Sequence, residues 1–366
     1  MNTHMQQNKL QKVLVMAGGT GGHIFPGLAV AECLKERGIS VEWLGTQQGL
    51  EAQLVPQAGI SLHFIRIAGL RGKGIKPLLF APFKIIGAIK DAIRVIKTIN
   101  PDIVIGMGGF VSGPGGVAAW LMRCPLIIHE QNAKAGLTNK ILSLFSARTL
   151  QGFPAAFKAN TKVVTIGNPV RSDIVNLPPP SERLSLHKPP FRLLVLGGSL
   201  GAQALNELVP QAIAQLPLAD RPVILHQAGN KHIDLTKKQY EAMGVTVTLQ
   251  AFVKDMAEAY GWADMVLCRA GALTVAELCV AGLGAIFVPF PHAVDDHQTE
   301  NAHFMVKHEA ALCIKQSELT ATELARIIKQ FSQSPEKCIA MAEAAYQLRK
   351  INVAEKIVQI CQEVSR

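Results

Sequence analysis

The sequence predicts an α/β protein made of two similar doubly wound domains, each a parallel sheet with helices on both faces, and three observations carry that prediction. Runs rich in Val, Ile and Leu recur, each closed by glycines and followed by a stretch of helical period: "KVLVMAGG" precedes "FPGLAVAECLKERG", "DIVIGMGG" precedes "GGVAAWLMR", and "FRLLVLGG" precedes "QALNELVPQAIAQL". Continuous apolar runs alternating with helices belong to parallel strands buried on both faces. Between the blocks lies "LPPPSERLSLHKPP", residues 177–190, with five prolines in fourteen residues, which reads as a surface connection near a domain boundary. On either side of it the plan repeats: strand, "AGGTGGHIFPGLAVAECL" and helix before, strand, "LGGSLGAQALNELV" and helix after. A ligand is expected in a cleft faced by the strand C-termini and helix N-termini of both domains.

Bulk properties narrow the class. A chain of 366 residues is long enough for about two domains, each with its own core. Its seven cysteines, at 33, 124, 268, 279, 313, 338 and 361, form no CxxC pair, so neither a disulfide framework nor a zinc ribbon is expected, and a reducing cytoplasm fits. The polar start "MNTHMQQNKLQK" lacks the pattern of an export signal. The uncharged run Ile103 to Met122 contains six glycines and a proline and would make a poor membrane helix. A net charge of +10 points to anionic partners without choosing among phosphates, nucleic acid and an acidic membrane.

Glycines directly after a strand let backbone approach a ligand, and the first N–H groups of the following helix attract phosphate. Gly18, Gly19, Gly21 and Gly22 therefore suit a diphosphate or a sugar; a tight turn without ligand is the plainer alternative. A dinucleotide fingerprint read from Gly19 needs a glycine where Ile24 stands, and the GK[ST] of a phosphate-binding P-loop is absent. "GGSLG" at 197–201 matches GxSxG, which keeps open a hydrolase with Ser199 as nucleophile, Asp264 or Asp295, and His297 as base. "HEQNA" and "HEAAL" lack the second histidine of HExxH, and no DxD occurs, so no metal site is expected; helix dipoles and Arg or Lys would have to neutralise a leaving diphosphate.

Candidate chemistry follows the same loops. His23, where the first loop meets its helix, is placed to take a proton from an attacking hydroxyl, or merely to cap the turn. His129, Glu130 and Asn132 in "IIHEQNAKAGLTN" follow a strand and face either a cleft or a structural hydrogen-bond cluster. Arg171 in "GNPVR" can reach an anion or stand on the surface. In "CRAGALTVAELCVAG" Gly271 and a new helix can meet a phosphate. Glu277 in its second turn suits a hydrogen-bonding task such as a ribose diol better than a bare buried charge. Gln298 and Asn301 offer amides to sugar hydroxyls or to a helix cap. In "LRGKGIKPLLFAPFKIIGAIKDAIRVIK", residues 85, 89, 93 and 96 make a core-facing stripe. The apolar and basic cluster before it (Arg71, Lys73, Ile75, Lys76, Leu79, Phe80, Phe83, Lys84) suits an anionic bilayer or a buried loop.

From Lys12 onward, "GGTGGHIFP", "LRGKGIK", "GMGGFVSGPGG", "HEQNAKAGLTN", "GNPVR", "GGSLGAQALN", "CRAGALTVAEL" and "DDHQTENA" come in one order, and in this the chain resembles the GT-B glycosyltransferases of family 28. The resemblance implies an inverting, metal-independent transfer of GlcNAc from UDP-GlcNAc to the C4 hydroxyl of the MurNAc unit of lipid I, giving lipid II, with no cofactor. It implies a peripheral protein on the cytoplasmic side of a bacterial inner membrane, touching an anionic lipid surface and other cell-wall synthesis and division proteins, and no nucleic acid. Residues 1–170 would form the acceptor and membrane domain, completed by a C-terminal helix over 345–366, and residues 171–344 the donor domain. By position, Thr20, Gly21, Gly22 and Asn132 would lie at the donor sugar, Arg171 and Ser199 at the diphosphate, and Val253 at uracil through its backbone. Ala272, Leu273, Thr274, Val275, Ala276 and Glu277 would cradle the nucleotide, with Glu277 on the ribose and Gln298 on GlcNAc. His23 would be the base, with Glu130 and His129 as further candidates. Three positions depart from the pattern: Phe110 replaces a tyrosine, Ala270 a serine or glycine, and Thr299 a second glutamine. Another GT-B UDP-sugar transferase and a Ser199 hydrolase are the alternatives.

Overall fold

The computed structural model describes residues 10–67, 81–198, 201–291, 293 and 296–365. The chain divides into two compact units, Met1–Pro169 with Asn352–Arg366, and Val170–Ile351.

Among the described residues the first unit has a seven-stranded sheet. Its strands are β1 (Lys12–Met16), β2 (Ser40–Gly45), β3 (Ser61–Phe64), β4 (Ile103–Gly106), β5 (Leu126–Glu130), β6 (Arg148–Gln151) and β7 (Val163–Thr165). They run parallel in the order β3-β2-β1-β4-β5-β6-β7. The helices are α1 (Gly21–Glu36), α2 (Glu51–Gln57), α3 (Ala81–Ile99), α4 (Ser112–Leu121) and α5 (Leu137–Leu142). Side chains alternate across a strand, and both faces of β1 are covered: Val13 and Val15 enter one core with Ile24 and Trp43, Leu14 and Met16 another with Ala88 and Ala118. That double burial is why the run "VLVM" is apolar without interruption. The uncharged run Ile103–Met122 folds as β4, a glycine turn and α4, and among the described residues no helix is long and apolar enough to cross a membrane.

The second unit repeats the plan with β8 (Arg192–Leu196), β9 (Val223–Gln227), β10 (Thr248–Gln250), β11 (Met265–Cys268), β12 (Ala285–Phe287) and β13 (Ala311–Cys313), parallel in the order β10-β9-β8-β11-β12-β13. Its helices are α6 (Ser172–Val175), α7 (Pro180–Ser185), α8 (Gln203–Ala214), α9 (Ile233–Ala242), α10 (Met256–Trp262), α11 (Ala272–Ala281), α12 (His297–Val306), α13 (Ala321–Ser332) and α14 (Pro335–Gln347). In both sheets the order reverses beside the first strand, at β1/β4 and at β8/β11. In doubly wound folds the loops that leave the carboxyl ends at such a point part, and ligands are taken there.

The proline-rich segment 177–190 is largely exposed, as expected, and lies wholly within the second unit: Pro180 starts α7, and buried Arg183 donates to the carbonyls of Pro178, Ala281 and Gly282, pinning that helix. The division falls shortly before it, at Pro169/Val170. Two readings of the sequence are corrected. The C-terminal return begins at Asn352, not 345, because α14 runs to Gln347 and stays with the second unit; α15 (Val353–Val364) then buries Val353, Ile357, Val358 and Cys361 in the core that α1 lines. On α3 Ile96 is buried and Ile89 and Ile93 pack against the core, as expected, together with Ala88, Ala92 and Ile99; Ile85 alone departs from the expected stripe and is exposed beside Phe83 and Ile86.

Candidate active site

After β1 the chain makes its glycine loop and enters α1, whose Thr20 carbonyl accepts from the N–H groups of His23 and Ile24. Beneath the loop lies Glu51, the first residue of α2 and fully buried. Its Oε1 accepts from the Thr46 amide (3.1 Å) and hydroxyl (2.7 Å), and its Oε2 from the Gly19 amide (3.1 Å). A Cβ on Gly18 would come within 2.7 Å of that carboxylate, and one on Gly45 within 2.8 Å of the Glu51 Cγ. Gly18 is thus bare to admit a protein carboxylate, and the Gly19 N–H is spent on it. With the Glu51 carboxyl beneath them, Gly18 and Gly19 fit the tight turn that was the plainer alternative to a diphosphate or sugar contact. Thr20, Gly21 and Gly22 stand at the helix start, where the first N–H groups have no intrahelical partner.

His23 is half-buried in the first turn of α1, and its Nδ1 lies 3.2 Å from Gln131 Oε1. Across the switch point Gly108, at φ +96, leaves room for the pair: a Cβ there would meet His23 Nδ1 at 2.6 Å. Phe110, which the sequence marked as lacking a hydroxyl, lays its ring against Gly19.

The other two base candidates do not survive. His129 on β5 is fully buried, with Nε2 2.9 Å from the Gly167 carbonyl and Nδ1 buried without a hydrogen-bond partner; burial pushes its pKa down. An imidazole enclosed this way cannot reach a substrate hydroxyl. Glu130, 2% exposed, accepts four hydrogen bonds: Oε1 from the Asn132 amide and side chain, Oε2 from the Gly136 amide and Asn139 Nδ2. Its oxygens organise the turn into α5 and hold Asn132 in place, so it serves the loop as an acceptor hub.

In the second unit the glycine loop after β8 is described only at its ends, where Gly198 and Gly201 have φ +80 and +79; Ser199 lies outside the described residues, as does Asp295. Asp264 bonds His187 Nδ1 (2.5 Å) and the Arg192 amide (2.8 Å), just before β11 and at the start of β8. That is the amino edge of the sheet, where the Asp264 carboxylate is taken up by His187 and the Arg192 amide. The Val253 amide is given to Gln227 Oε1 (2.9 Å), while Gln227 Nε2 reaches the Gly198 carbonyl (2.8 Å); Val253 is left its carbonyl for a base.

The β11 loop leads through Gly271 into α11, whose first turn is Ala272, Leu273 and Thr274. Ala272 and Val275 turn their side chains inward, so only their backbone can meet a ligand, whereas Leu273, Thr274, Ala276 and Glu277 are half-buried. Glu277 Oε2 accepts from the Tyr260 hydroxyl at 2.9 Å. Burial raises the Glu277 pKa, and the Tyr260 hydrogen bond and the Arg171 charge oppose the rise. Arg171 precedes α6, its Nε 3.9 Å from Asp173 Oδ1. Gln298 on α12 accepts from the Phe290 amide through Oε1 (2.9 Å), which sets its NH₂ on the other side of the amide. Asn301, by contrast, is fully buried with Nδ2 on the Ala270 carbonyl, so it is not a sugar contact. Thr299 bonds Asp296 Oδ1 (2.7 Å).

Of the surface cluster, Arg71, Lys73, Ile75, Lys76, Leu79 and Phe80 lie outside the described residues; Phe83, 73% exposed, and Lys84 stand on the outer face of α3. Sequence reasoning missed Glu51, Gln131 and Tyr260. Gln131 stood inside the quoted "HEQN", and the glycines at 45 and 49 around a lone acid were a signal for Glu51; nothing local pointed to Tyr260.

Residues 13–151 match the glycosyltransferase family 28 N-terminal domain and residues 192–358 its C-terminal domain. A UDP-N-acetylglucosamine–N-acetylmuramyl-(pentapeptide) pyrophosphoryl-undecaprenol N-acetylglucosamine transferase from Marinobacter nauticus is 50% identical over 361 residues, covering 99% of both chains. The same-named protein of Psychromonas ingrahamii is 52% identical over 352 residues, covering 96% of this chain and 98% of that one. Among solved structures, Acinetobacter baumannii MurG superposes with TM-score 0.84 at 40% identity over 96% of this chain and 99% of its own. The calicheamicin glycosyltransferase CalG4, at TM-score 0.66 and 14% identity over 97% of this chain and 100% of its own, shares the fold.

Proposed function

The chain belongs to glycosyltransferase family 28, and from that premise we propose that it transfers N-acetylglucosamine from UDP-GlcNAc to the C4 hydroxyl of the MurNAc unit of lipid I, forming lipid II. The observation that carries this is likeness from end to end, 50% identity over 361 residues to a transferase of that name. Of the three base candidates His23 is half-exposed, while Glu130 and His129 are buried. Its imidazole takes the proton of the C4 hydroxyl as that oxygen bonds the anomeric carbon; the bond from that carbon to the diphosphate breaks, UDP leaves, and the configuration inverts. General-base help of this kind is typically worth ~10²–10⁴ in rate.

The second unit holds the donor. Glu277 accepts from the ribose diol, the Val253 carbonyl from uracil, and the Gln298 NH₂ donates to the sugar. Negative charge growing on the diphosphate is met by the first-turn amides of α11 and by the Arg171 guanidinium, preorganised donors of the kind that stabilise a departing anion. These groups support a metal-independent reaction. The test is transfer of radiolabelled GlcNAc from UDP-GlcNAc to a lipid I analogue in EDTA: full activity is expected, and strict dependence on a divalent ion would refute the proposal. His23→Ala should lower kcat by ~10²–10⁴.

A lipid acceptor is met at a membrane, and an anionic surface on the cytoplasmic side is the place proposed for it. Exposed Phe83, Ile85 and Ile86 followed by Lys84, Lys90, Arg94 and Lys97 on α3 support peripheral attachment there. Vesicles with anionic lipid should sediment the wild type and lose Phe83→Ser/Ile86→Ser; equal sedimentation would remove α3 from the contact.

A further inference from the structure

We infer that Gln131 is a positioning residue that fixes the proton of the His23 imidazole on Nδ1 and so makes Nε2 the basic nitrogen. The inference rests on the reading of His23 as the base and adds a residue that acts through it.

A chain of donors and acceptors runs through the pair. The Met107 carbonyl can only accept, and Gln131 Nε2 lies 2.8 Å from it. That orients the amide, because a flipped side chain would set its oxygen against the carbonyl oxygen. The Gln131 oxygen therefore faces the other way, where His23 Nδ1 stands at 3.2 Å. An amide oxygen carries no proton, so Nδ1 supplies it, and the lone pair falls to Nε2.

Each link is held from behind. The Met107 amide donates to the Met16 carbonyl (2.8 Å), locking β4 to β1 at the switch point. Gln131 is 1% exposed, and its own carbonyl accepts from Asn168 Nδ2 (3.0 Å). Gly108 lacks the Cβ that would lie 2.6 Å from His23 Nδ1 and 3.3 Å from Gln131 Oε1. In water a neutral histidine favours the opposite, Nε2–H tautomer, whose Nε2 has no lone pair to accept a proton. The neutral amide thus selects the working tautomer without placing a negative charge beside the ring, as a carboxylate would.

Protein labelled with ¹⁵N-histidine, read by long-range ¹H–¹⁵N correlation at a pH where the ring is neutral, tests this directly, His23→Ala assigning the signal. The wild type should show the Nδ1–H pattern. Gln131→Leu should shift the population towards Nε2–H and lower kcat by about 10- to 100-fold, with KM for UDP-GlcNAc within about twofold. Gln131→Glu, able to accept from Nδ1, should keep the Nδ1–H pattern and move the acidic limb of the kcat/KM profile to higher pH. A wild-type Nε2–H pattern overturns the inference whether or not the variants fold, as does a Gln131→Leu protein with unchanged tautomer. Full activity of His23→Ala would instead overturn the base assignment, and the tautomer measurement separates the two failures.

Discussion

Glu51→Gln is the sharpest probe of how the first glycine loop is built. The carboxylate accepts three hydrogen bonds, two from Thr46 and one from the Gly19 amide, and is fully buried. A glutamine of the same shape can aim its one oxygen at Thr46 or at Gly19, not both, so its NH₂ must face an N–H or O–H donor. One hydrogen bond to a charged group, about 1.5–3 kcal/mol, is lost, and the others weaken to neutral strength. Partial exposure of Gly19 lets water recover some of this, so the net cost is about 2–3 kcal/mol. At roughly 2–4 °C per kcal/mol for a unit of this size, the melting temperature should fall by about 4–12 °C. Glu42→Gln is the control: its carboxylate pairs with His63 at 2.7 Å on partly exposed surface, where a pair contributes less than about 1 kcal/mol. Thermal unfolding followed by circular dichroism at neutral pH reads both. If Glu51→Gln melts within about 1 °C of wild type, or no lower than Glu42→Gln, the loop does not depend on the buried carboxylate and the account of Gly18 and Gly19 is wrong.

Gly108→Ala should drive a methyl into the His23 ring at a position of φ +96, lowering kcat about 10²-fold while calorimetry finds UDP affinity unchanged. Glu277→Gln should weaken UDP binding by about 10- to 100-fold, as expected for a lost charged hydrogen bond. It should also change the pH dependence: burial raises the folded-state pKa of Glu277, so its contribution is present below about 4.5 and is lost as pH rises through the raised value. Urea unfolding should therefore show the wild type losing stability over that window and Glu277→Gln losing less; identical slopes would contradict it. His226 acts in the opposite sense. Fully buried between Tyr240 and Asn206, it has its pKa pushed down to about 3, so its stabilisation holds above 6.5 and fades as pH falls towards 3, by at most about 5 kcal/mol. Acid unfolding of His226→Gln should be the shallower; an equally steep curve would rule His226 out as the cause.

Much of the fold was legible because burial on both faces of a parallel strand leaves a local mark. "VLVM" and "LLVL" could be little else when each runs into glycine and then a helical period, and both became the strands beside which sheet order reverses. The break between α14 and α15 was not legible. It turns on Asn352 at φ +56 and on which core receives Val353 and Ile357, a matter of distant partners. The site divided in the same way. His23 stood at a loop-to-helix junction that can be read from letters alone, while His129, Glu130 and Asn301 carried equally suitable chemistry and turned out to be enclosed.

By itself, then, the amino-acid sequence determined the two parallel-sheet units, the places where their loops meet helices, and the family. Those depend on the period of apolar residues and on short motifs, which are properties of neighbours along the chain. Only the tertiary structure decided why Gly18 is bare, which of His23, His129 and Glu130 are enclosed, and which group His23 Nδ1 faces. Each answer comes from a group far away in sequence, Glu51 under the loop, Gly167 against His129 and Gln131 against His23, and hydrogen-bond direction is defined only once such partners are brought within 3 Å or so.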